Sequence, residues 1–172
     1  MIVGLVEQEA GRSDGHITMK MNSLVDAGII QCLYKASQAG TRIDLCVRGI
    51  CSLVPGIPGL SENITVRSVV GRYLEHSRIY RFGARSRERT YLYGSADMMP
   101  RNLDRRIEAL APVNDPDLQF RMDEIFDVVF ADDTLAWELQ PNRTWARVAG
   151  EGMVDTHEAL QELALLRANA HL

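Results

Sequence analysis

A strand, a capped helix and a second strand follow one another between residues 16 and 47, and this succession constrains the fold more than any other feature. Residues 16–21 alternate apolar and polar side chains, as a half-buried strand does. Asp26 can cap a helix over residues 27–39, and residues 43–47 read as the next strand. Short connections between such elements predict a right-handed βαβ unit whose two strands are parallel.

The rest of the chain supplies further strands and two longer helices. The strands are predicted at residues 64–70, 79–82, 90–93, 107–111, 135–139 and 144–148, and the helices at 116–131 and 156–168. We find no internal repeat and no linker. The fold class is therefore α/β, with one mixed sheet flanked by helices in a single domain over residues 1–172.

Composition places the chain among ordinary globular proteins, at 46% hydrophobic and 24% charged residues. No apolar run approaches the roughly 20 residues of a membrane-spanning helix, and no signal peptide is recognisable, so a cytoplasmic location is expected. Residues 1–10 have helical spacing without a capping residue, as if a longer helix had been cut. We therefore expect a fragment of a longer chain.

Arginine is concentrated between Val66 and Arg106. This stretch contains ten of the seventeen arginines and has a net charge of +6, whereas the whole chain has a net charge of −4. Local excess of one charge focuses ligands of the opposite charge. Arginine also outnumbers lysine seventeen to two, and its planar fork binds phosphate oxygens in pairs. Phosphate is the expected ligand, and the site is expected here.

A histidine motif lies within this stretch. His76 is followed two residues later by Arg78, and further on by Gly94-Ser95-Ala96-Asp97. The pattern resembles the signature of the phospholipase D superfamily, in which a histidine attacks phosphorus. Arg78 stands where that signature has lysine, and Asp97 where it has asparagine.

Five segments together give a closer resemblance, to the C-terminal catalytic region of bacterial polyphosphate kinase. They are Lys20–Asp26, Val47–Cys51, Pro55–Ile64, Arg72–Tyr80 and Gly94–Arg106. The likeness extends from about Ile17 to the C-terminus. A small departure is Asp97-Met98-Met99 where the family reads Asp-Trp-Met, which affects only local packing.

The resemblance implies a phospholipase D-like fold and a role in reversible transfer of the terminal phosphate of ATP to inorganic polyphosphate. It implies a phosphohistidine and a Mg²⁺ site, both in a preceding catalytic domain, so no metal ligand is predicted in this chain and the chain alone should be inactive. The implied partners are ATP or ADP, inorganic polyphosphate and that preceding domain, and not nucleic acid. The full-length enzyme is expected to be a homo-oligomer that can associate with membranes.

Four residues are the candidate phosphate ligands: Arg48, His76, Arg78 and Arg106. His76 is the catalytic candidate, because the resemblance places there the family's phosphate-polarising histidine. Arg48 follows a predicted strand, where ligands bind in α/β sheets. Only one of Arg105 and Arg106 can face the site if the segment is extended.

Other charged residues near these four are expected to support the site or to lie at its edge. Glu75, Asp97 and Asp104 are read as orienting partners of the arginines. Arg81, Arg85, Arg87 and Arg89 are read as a solvated rim, and His16, His157 and His171 receive no role.

Two other functions satisfy parts of the pattern. A phospholipase D-type phosphodiesterase could complete its site by homodimerisation, since one signature per chain would become two. A non-catalytic phosphate-polymer binding module would need only the arginine-rich stretch.

Overall fold

Eight strands of one mixed sheet form the centre of the structure. The computed structural model describes residues 1–100 and 107–170. Its elements are α1 (Ile2–Ala10), β1 (His16–Met21), α2 (Ala27–Gln38), β2 (Arg42–Val47), β3 (Ile64–Val69), β4 (Ile79–Phe82), β5 (Thr90–Gly94), β6 (Leu110–Pro112), α3 (Pro116–Ala131), β7 (Ala136–Leu139), β8 (Trp145–Arg147) and α4 (Thr156–Ala170).

The strand order confirms the predicted βαβ unit. Across the sheet the order is β6-β5-β4-β1-β2-β3-β7-β8. Strands β1, β2 and β3 are parallel, and every other pairing is antiparallel. The single mixed sheet predicted from the sequence is therefore observed, with its parallel strands at the centre.

Helices cover both faces of the sheet because side chains alternate along each strand. On one face, Ile17, Met19 and Leu45 pack with Leu33 of α2 in a cluster that also contains residues of α1. On the other face, α3 places Phe126 and its neighbours against β4 and β5, and Val129 against β2 and β3. Within the described residues, no helix is both long enough and apolar enough to cross a bilayer.

Helix α2 has the predicted N-cap, and α3 begins with a similar one. The Asp26 side chain accepts a hydrogen bond from the Ile29 N–H at 2.9 Å at the start of α2. Gly40, just beyond α2, has φ +92°, a conformation that glycine adopts without steric cost. At α3, Asp115 accepts from the Asp117 N–H at 2.9 Å, and Pro116 occupies the first turn.

Strand β6 differs from the prediction of a strand at 107–111. It spans Leu110–Pro112, and Pro112 lies opposite Leu92 of β5. Proline lacks the N–H that a central strand needs, but β6 is an edge strand, where this loss is tolerated. Pro112 is therefore part of the strand.

Candidate functional site

The carboxyl ends of β1 and β2 meet the start of β4 at one edge of the sheet. Strand β4 runs antiparallel to β1, and Ile79 pairs with Lys20 near the end of β1. The segment of residues 70–78, here called the His76 loop, links β3 to β4 and crosses this edge. Arg48 follows β2 directly, so the topology brings Arg48 to the loop that carries His76.

Two guanidinium groups hold the backbone on either side of His76. Arg48 Nη1 donates to the carbonyl oxygen of Glu75. Arg78 Nη1 donates to the carbonyl oxygen of His76 at 3.0 Å. The His76 side chain is exposed and makes no hydrogen bond with the described residues. Three of the four predicted ligands are therefore adjacent, although His76 and Arg78 precede β4 and do not lie within it.

Asp97 joins Arg78 to the end of β1, as predicted for an orienting partner. Its Oδ2 lies 3.0 Å from Arg78 Nη2, and its Oδ1 accepts from the N–H groups of Asn22 at 2.7 Å and Ser23 at 3.2 Å. Asp97 is only 6% exposed, so its contact with Arg78 is largely shielded from water. Arg78 Nε and Ser77 Oγ are buried without a partner in the described part of the chain.

Lys20 is a component of this edge to which the sequence analysis assigned no role. It is 3% exposed, and its Nζ lies 3.5 Å from Glu75 Oε2. Burial opposes ionisation of Glu75, but the charge of Lys20 and the Ser77 N–H outweigh burial and lower the pKa of that carboxyl. Glu75 thus contacts Lys20 through its carboxylate and Arg48 through its carbonyl. The sequence feature that could have identified Lys20 is its position at the end of a predicted strand, on the face opposite the apolar side chains.

Arg106 and its neighbours Asp104 and Arg105 lie outside the described residues. The predicted role of Arg106, and the choice between Arg105 and Arg106, therefore stay predictions.

The expected solvated rim of hairpin arginines was wrong for three of its four members. Arg81 is 4% exposed and binds Asp123 at 2.8 Å and the Thr18 hydroxyl at 2.8 Å. Arg89 also pairs with Asp123, at 2.6 Å, and Arg87 pairs with Glu9. These side chains anchor α1 and α3 to the sheet. Arg85 alone is largely exposed.

Metal-ligating side chains are not clustered in the described residues. No group of three or more His, Cys, Asp or Glu side chains in residues 1–100 and 107–170 is arranged to hold an ion. The carboxylates next to His76 and Arg78, Glu75 and Asp97, are each paired with a cation. In these pairings both carboxylates are engaged in positioning Lys20 and Arg78.

The comparisons with known proteins decide the family. The family model "Polyphosphate kinase C-terminal domain 2" matches residues 1–159. The chain belongs to the polyphosphate kinase family. The polyphosphate kinase 1 of Chlorobaculum tepidum is 51% identical over 154 residues, which cover 87% of this chain and 22% of that protein. The chain spans about a fifth of the length of the curated polyphosphate kinases it matches.

Solved structures support the same assignment. The crystal structure of polyphosphate kinase from Porphyromonas gingivalis matches with a TM-score of 0.91 and 36% identity, over 98% of this chain and 27% of that one. A phospholipase D family member, Nuc from Salmonella typhimurium, matches with a TM-score of 0.56 and 14% identity, over 81% of this chain and 90% of its own. At that identity the likeness shows the fold alone, and the phospholipase D-like fold expected from the sequence is confirmed.

Proposed function

We propose that this domain binds and polarises the phosphates of ATP and polyphosphate within a polyphosphate kinase, which transfers the terminal phosphate of ATP reversibly to the polymer. The observation that carries this proposal is the arrangement at the carboxyl edge of the sheet. Arg48 and Arg78 hold the two carbonyls on either side of His76, and the imidazole is left exposed. A preorganised cationic edge of this kind suits a chain of phosphates.

Each residue has a distinct part in this proposal. Phosphoryl transfer needs little covalent help from the protein and depends on positioning and charge neutralisation. His76 contacts a phosphate oxygen where negative charge develops, and Arg48 and Arg78 neutralise neighbouring oxygens with their remaining N–H donors. Asp97 and the Lys20–Glu75 pair keep these groups in place. Arg106 is proposed as a fourth phosphate ligand.

The nucleophilic histidine is proposed to lie outside this domain. The other two histidines in the described part of the chain are both engaged by the protein: His16 Nε2 lies 2.8 Å from Asp44 Oδ2, and His157 Nδ1 accepts from the Tyr73 N–H. A nucleophile must approach phosphorus to about 3–3.5 Å. We propose that the preceding catalytic domain supplies it and holds the Mg²⁺ that accompanies the nucleotide. Assembly of the whole enzyme into a homo-oligomer in the cytoplasm belongs to the same proposal.

A graft tests the proposed function directly. This chain replaces the matching segment of the Chlorobaculum tepidum polyphosphate kinase, and polymer formation from ATP and Mg²⁺ is measured. The grafted enzyme is expected to make polyphosphate, and His76→Ala is expected to lower its rate by about 10²–10³, as loss of one preorganised group does. Arg85→Ala, which removes an exposed arginine of the β4–β5 hairpin, is the matched control and should leave the rate unchanged.

Three outcomes contradict the proposal. One is a His76→Ala graft as active as the unmutated graft. Another is stable phosphorylation of His76 with polymer growth by the 172-residue chain alone, which would make His76 the nucleophile. The third is an inactive graft together with one of two activities of the isolated chain. Hydrolysis of a phosphodiester would indicate a phospholipase D-type enzyme. Polyphosphate binding that is equally tight in the chain and in its His76→Ala variant would indicate a simple binding module.

A further inference from the structure

Helix α4 contacts the His76 loop at Tyr73, whereas Lys20 and Arg48 contact it at Glu75. His157, in the first turn of α4, accepts a hydrogen bond through Nδ1 from the backbone N–H of Tyr73 at 3.1 Å. One turn later, Gln161 Oε1 accepts from the Tyr73 hydroxyl at 3.1 Å. These contacts fix the loop three residues before His76. Neither is explained by the phosphate site itself.

The start of α4 is itself rigidly placed. Asp132, fully buried between α3 and β7, accepts the Thr156 N–H through Oδ2 at 2.7 Å. Its Oδ1 accepts the N–H groups of Leu135 at 2.6 Å and Ala136 at 2.8 Å, which lead into β7. Asp155 accepts the His157 N–H at 2.8 Å. The backbone at His157 is therefore connected to the start of β7 through Asp132, independently of the His76 loop.

The loop and His157 are in close contact. A Cβ on Gly71 would come within 2.9 Å of His157 Nδ1 and within 2.6 Å of Leu135 Cδ1. The Tyr73 and His157 rings lie 5.3 Å apart between centroids. A cavity of about 370 Å³ adjoins this contact and is lined by Tyr73, Leu74, Glu75, His157, Leu160 and Gln161. The loop could relax into this space if the Tyr73 hydrogen bond were lost.

The hydrogen bond from Tyr73 determines which nitrogen of His157 carries the proton. Because Nδ1 accepts, a neutral ring has its proton on Nε2. His157 is 8% exposed, and Nε2 has no partner among the described residues. If Nδ1 carried a proton, its N–H would face the Tyr73 N–H, and the hydrogen bond between them would be lost. Histidine is the side chain whose ordinary titration falls between roughly pH 5 and 8.

Several charged groups surround His157 on the elements packed against it. Glu75 of the loop lines the same cavity, and Arg72 lies over the Tyr73 ring at 5.2 Å from its centroid. Asp132 and Asp155 bind the N–H groups at the start of α4. These groups come from the His76 loop, the connection between α3 and β7, and the start of α4.

We propose that His157 is a positioning residue for His76, and that it holds the loop only while its Nδ1 is unprotonated. Phosphate binding at Arg48, His76 and Arg78 then weakens when His157 takes up a proton. This inference rests on the proposed function, since it assigns to α4 the control of that same site.

Two substitutions separate positioning from mere packing. In His157→Asn the side-chain oxygen can accept from the Tyr73 N–H and cannot be protonated, whereas His157→Leu has no acceptor. Glu162→Leu, an exposed position on α4, is the matched control. The measurements on the 172-residue chain are tripolyphosphate affinity by calorimetry at pH 8 and pH 6, and hydrogen exchange of the Tyr73 amide.

The expected results differ between the variants. At pH 8, His157→Leu should weaken tripolyphosphate binding about tenfold and accelerate Tyr73 exchange by a similar factor, as loss of one hydrogen bond predicts. His157→Asn and Glu162→Leu should stay close to wild type. Between pH 8 and pH 6 the wild type should lose affinity relative to His157→Asn. His76 is present in both proteins, so this difference isolates His157.

Other results would overturn the inference. Equal loss of affinity in His157→Asn and His157→Leu would leave only a packing role. Parallel pH profiles of wild type and His157→Asn would remove the protonation effect, and unchanged binding in His157→Leu despite faster Tyr73 exchange would remove the link to the site. Failure of the wild type to bind tripolyphosphate would instead contradict the proposed function, and this inference with it.

Discussion

Arg48 and Arg78 each use part of a guanidinium group to hold the backbone beside His76. Arg78 uses Nη1 on the His76 carbonyl and Nη2 on Asp97, and Arg48 uses Nη1 on the Glu75 carbonyl. A guanidinium has five N–H donors, so both arginines retain donors for phosphate. Residues predicted as ligands thus also position the histidine, and substitutions at either should affect both roles.

Arg78→Lys should weaken tripolyphosphate binding about tenfold, because a lysine cannot reach Asp97 and the His76 carbonyl together in a fork. Calorimetry on the 172-residue chain measures the change. Arg85→Lys, which alters an exposed arginine, is the matched control and should bind as wild type does. Equal affinity of Arg78→Lys and wild type would show that the fork has no role.

Glu75→Gln should destabilise the chain by about 1–3 kcal/mol, because it leaves Lys20 buried without a charge partner. Urea unfolding at pH 7 measures the change. The double variant Lys20→Met/Glu75→Gln should recover part of the loss, since no unpaired charge then remains. If the double variant loses more stability than the two single variants lose together, the unpaired charge of Lys20 is not the cause of the destabilisation.

At the scale of the elements, α3 is joined to the sheet by one buried carboxylate. Asp123 accepts hydrogen bonds from the Arg81 guanidinium at 2.8 Å and from the Tyr91 hydroxyl at 3.0 Å, and it forms an ion pair with Arg89. Burial alone would raise the pKa of Asp123, but the hydrogen bonds from Arg81 and Tyr91 outweigh it and hold that pKa below its ordinary value of 3.8. Ionised Asp123 therefore stabilises the folded state.

Asp123→Asn should lower the free energy of unfolding by about 1–3 kcal/mol at pH 7. A lowered pKa means that this contribution is fully present above about pH 4 and is lost as pH falls through the folded-state value. Urea unfolding from pH 7 to pH 3 should therefore show the two proteins converging below about pH 4. Asp127, on the same helix as Asp123, forms an exposed pair with Arg85 of the β4–β5 hairpin. Asp127→Asn is the control and should lower the free energy of unfolding by about 0–1 kcal/mol. A difference independent of pH would contradict the assignment.

At the scale of the whole molecule, local patterns predicted the elements better than the contacts between them. Alternation and capping residues located β1, α2 and α3 closely, because those signals lie within a few residues of each other. The burial of Arg81 and the pairing of Lys20 with Glu75 depend on contacts made 42 and 55 residues away, which no local pattern reports. The link from His157 to Tyr73 spans 84 residues and was missed for the same reason.

The site was partly accessible from the sequence, because strand ends could be placed at one edge of a parallel sheet. On that basis Arg48 was expected near the site, and the structure places it against the backbone next to His76. The choice of His76 and Arg78 came from the family resemblance and stays a prediction. Asp97, which pairs with Arg78, and His157, which accepts from the Tyr73 N–H, come from distant parts of the chain. Asp97 could be suspected from the excess of arginine around it, whereas His157 carried no signal.

Arg48, His76 and Arg78 are proposed to form one phosphate-binding site on this chain. An NMR titration of the isotopically labelled 172-residue chain with tripolyphosphate shows whether they do. We expect the largest shifts at the His76 ring and at the guanidinium signals of Arg48 and Arg78, with an affinity that falls as salt is added. Shifts confined to the hairpin at residues 83–89, with the His76 ring unaffected, would contradict it.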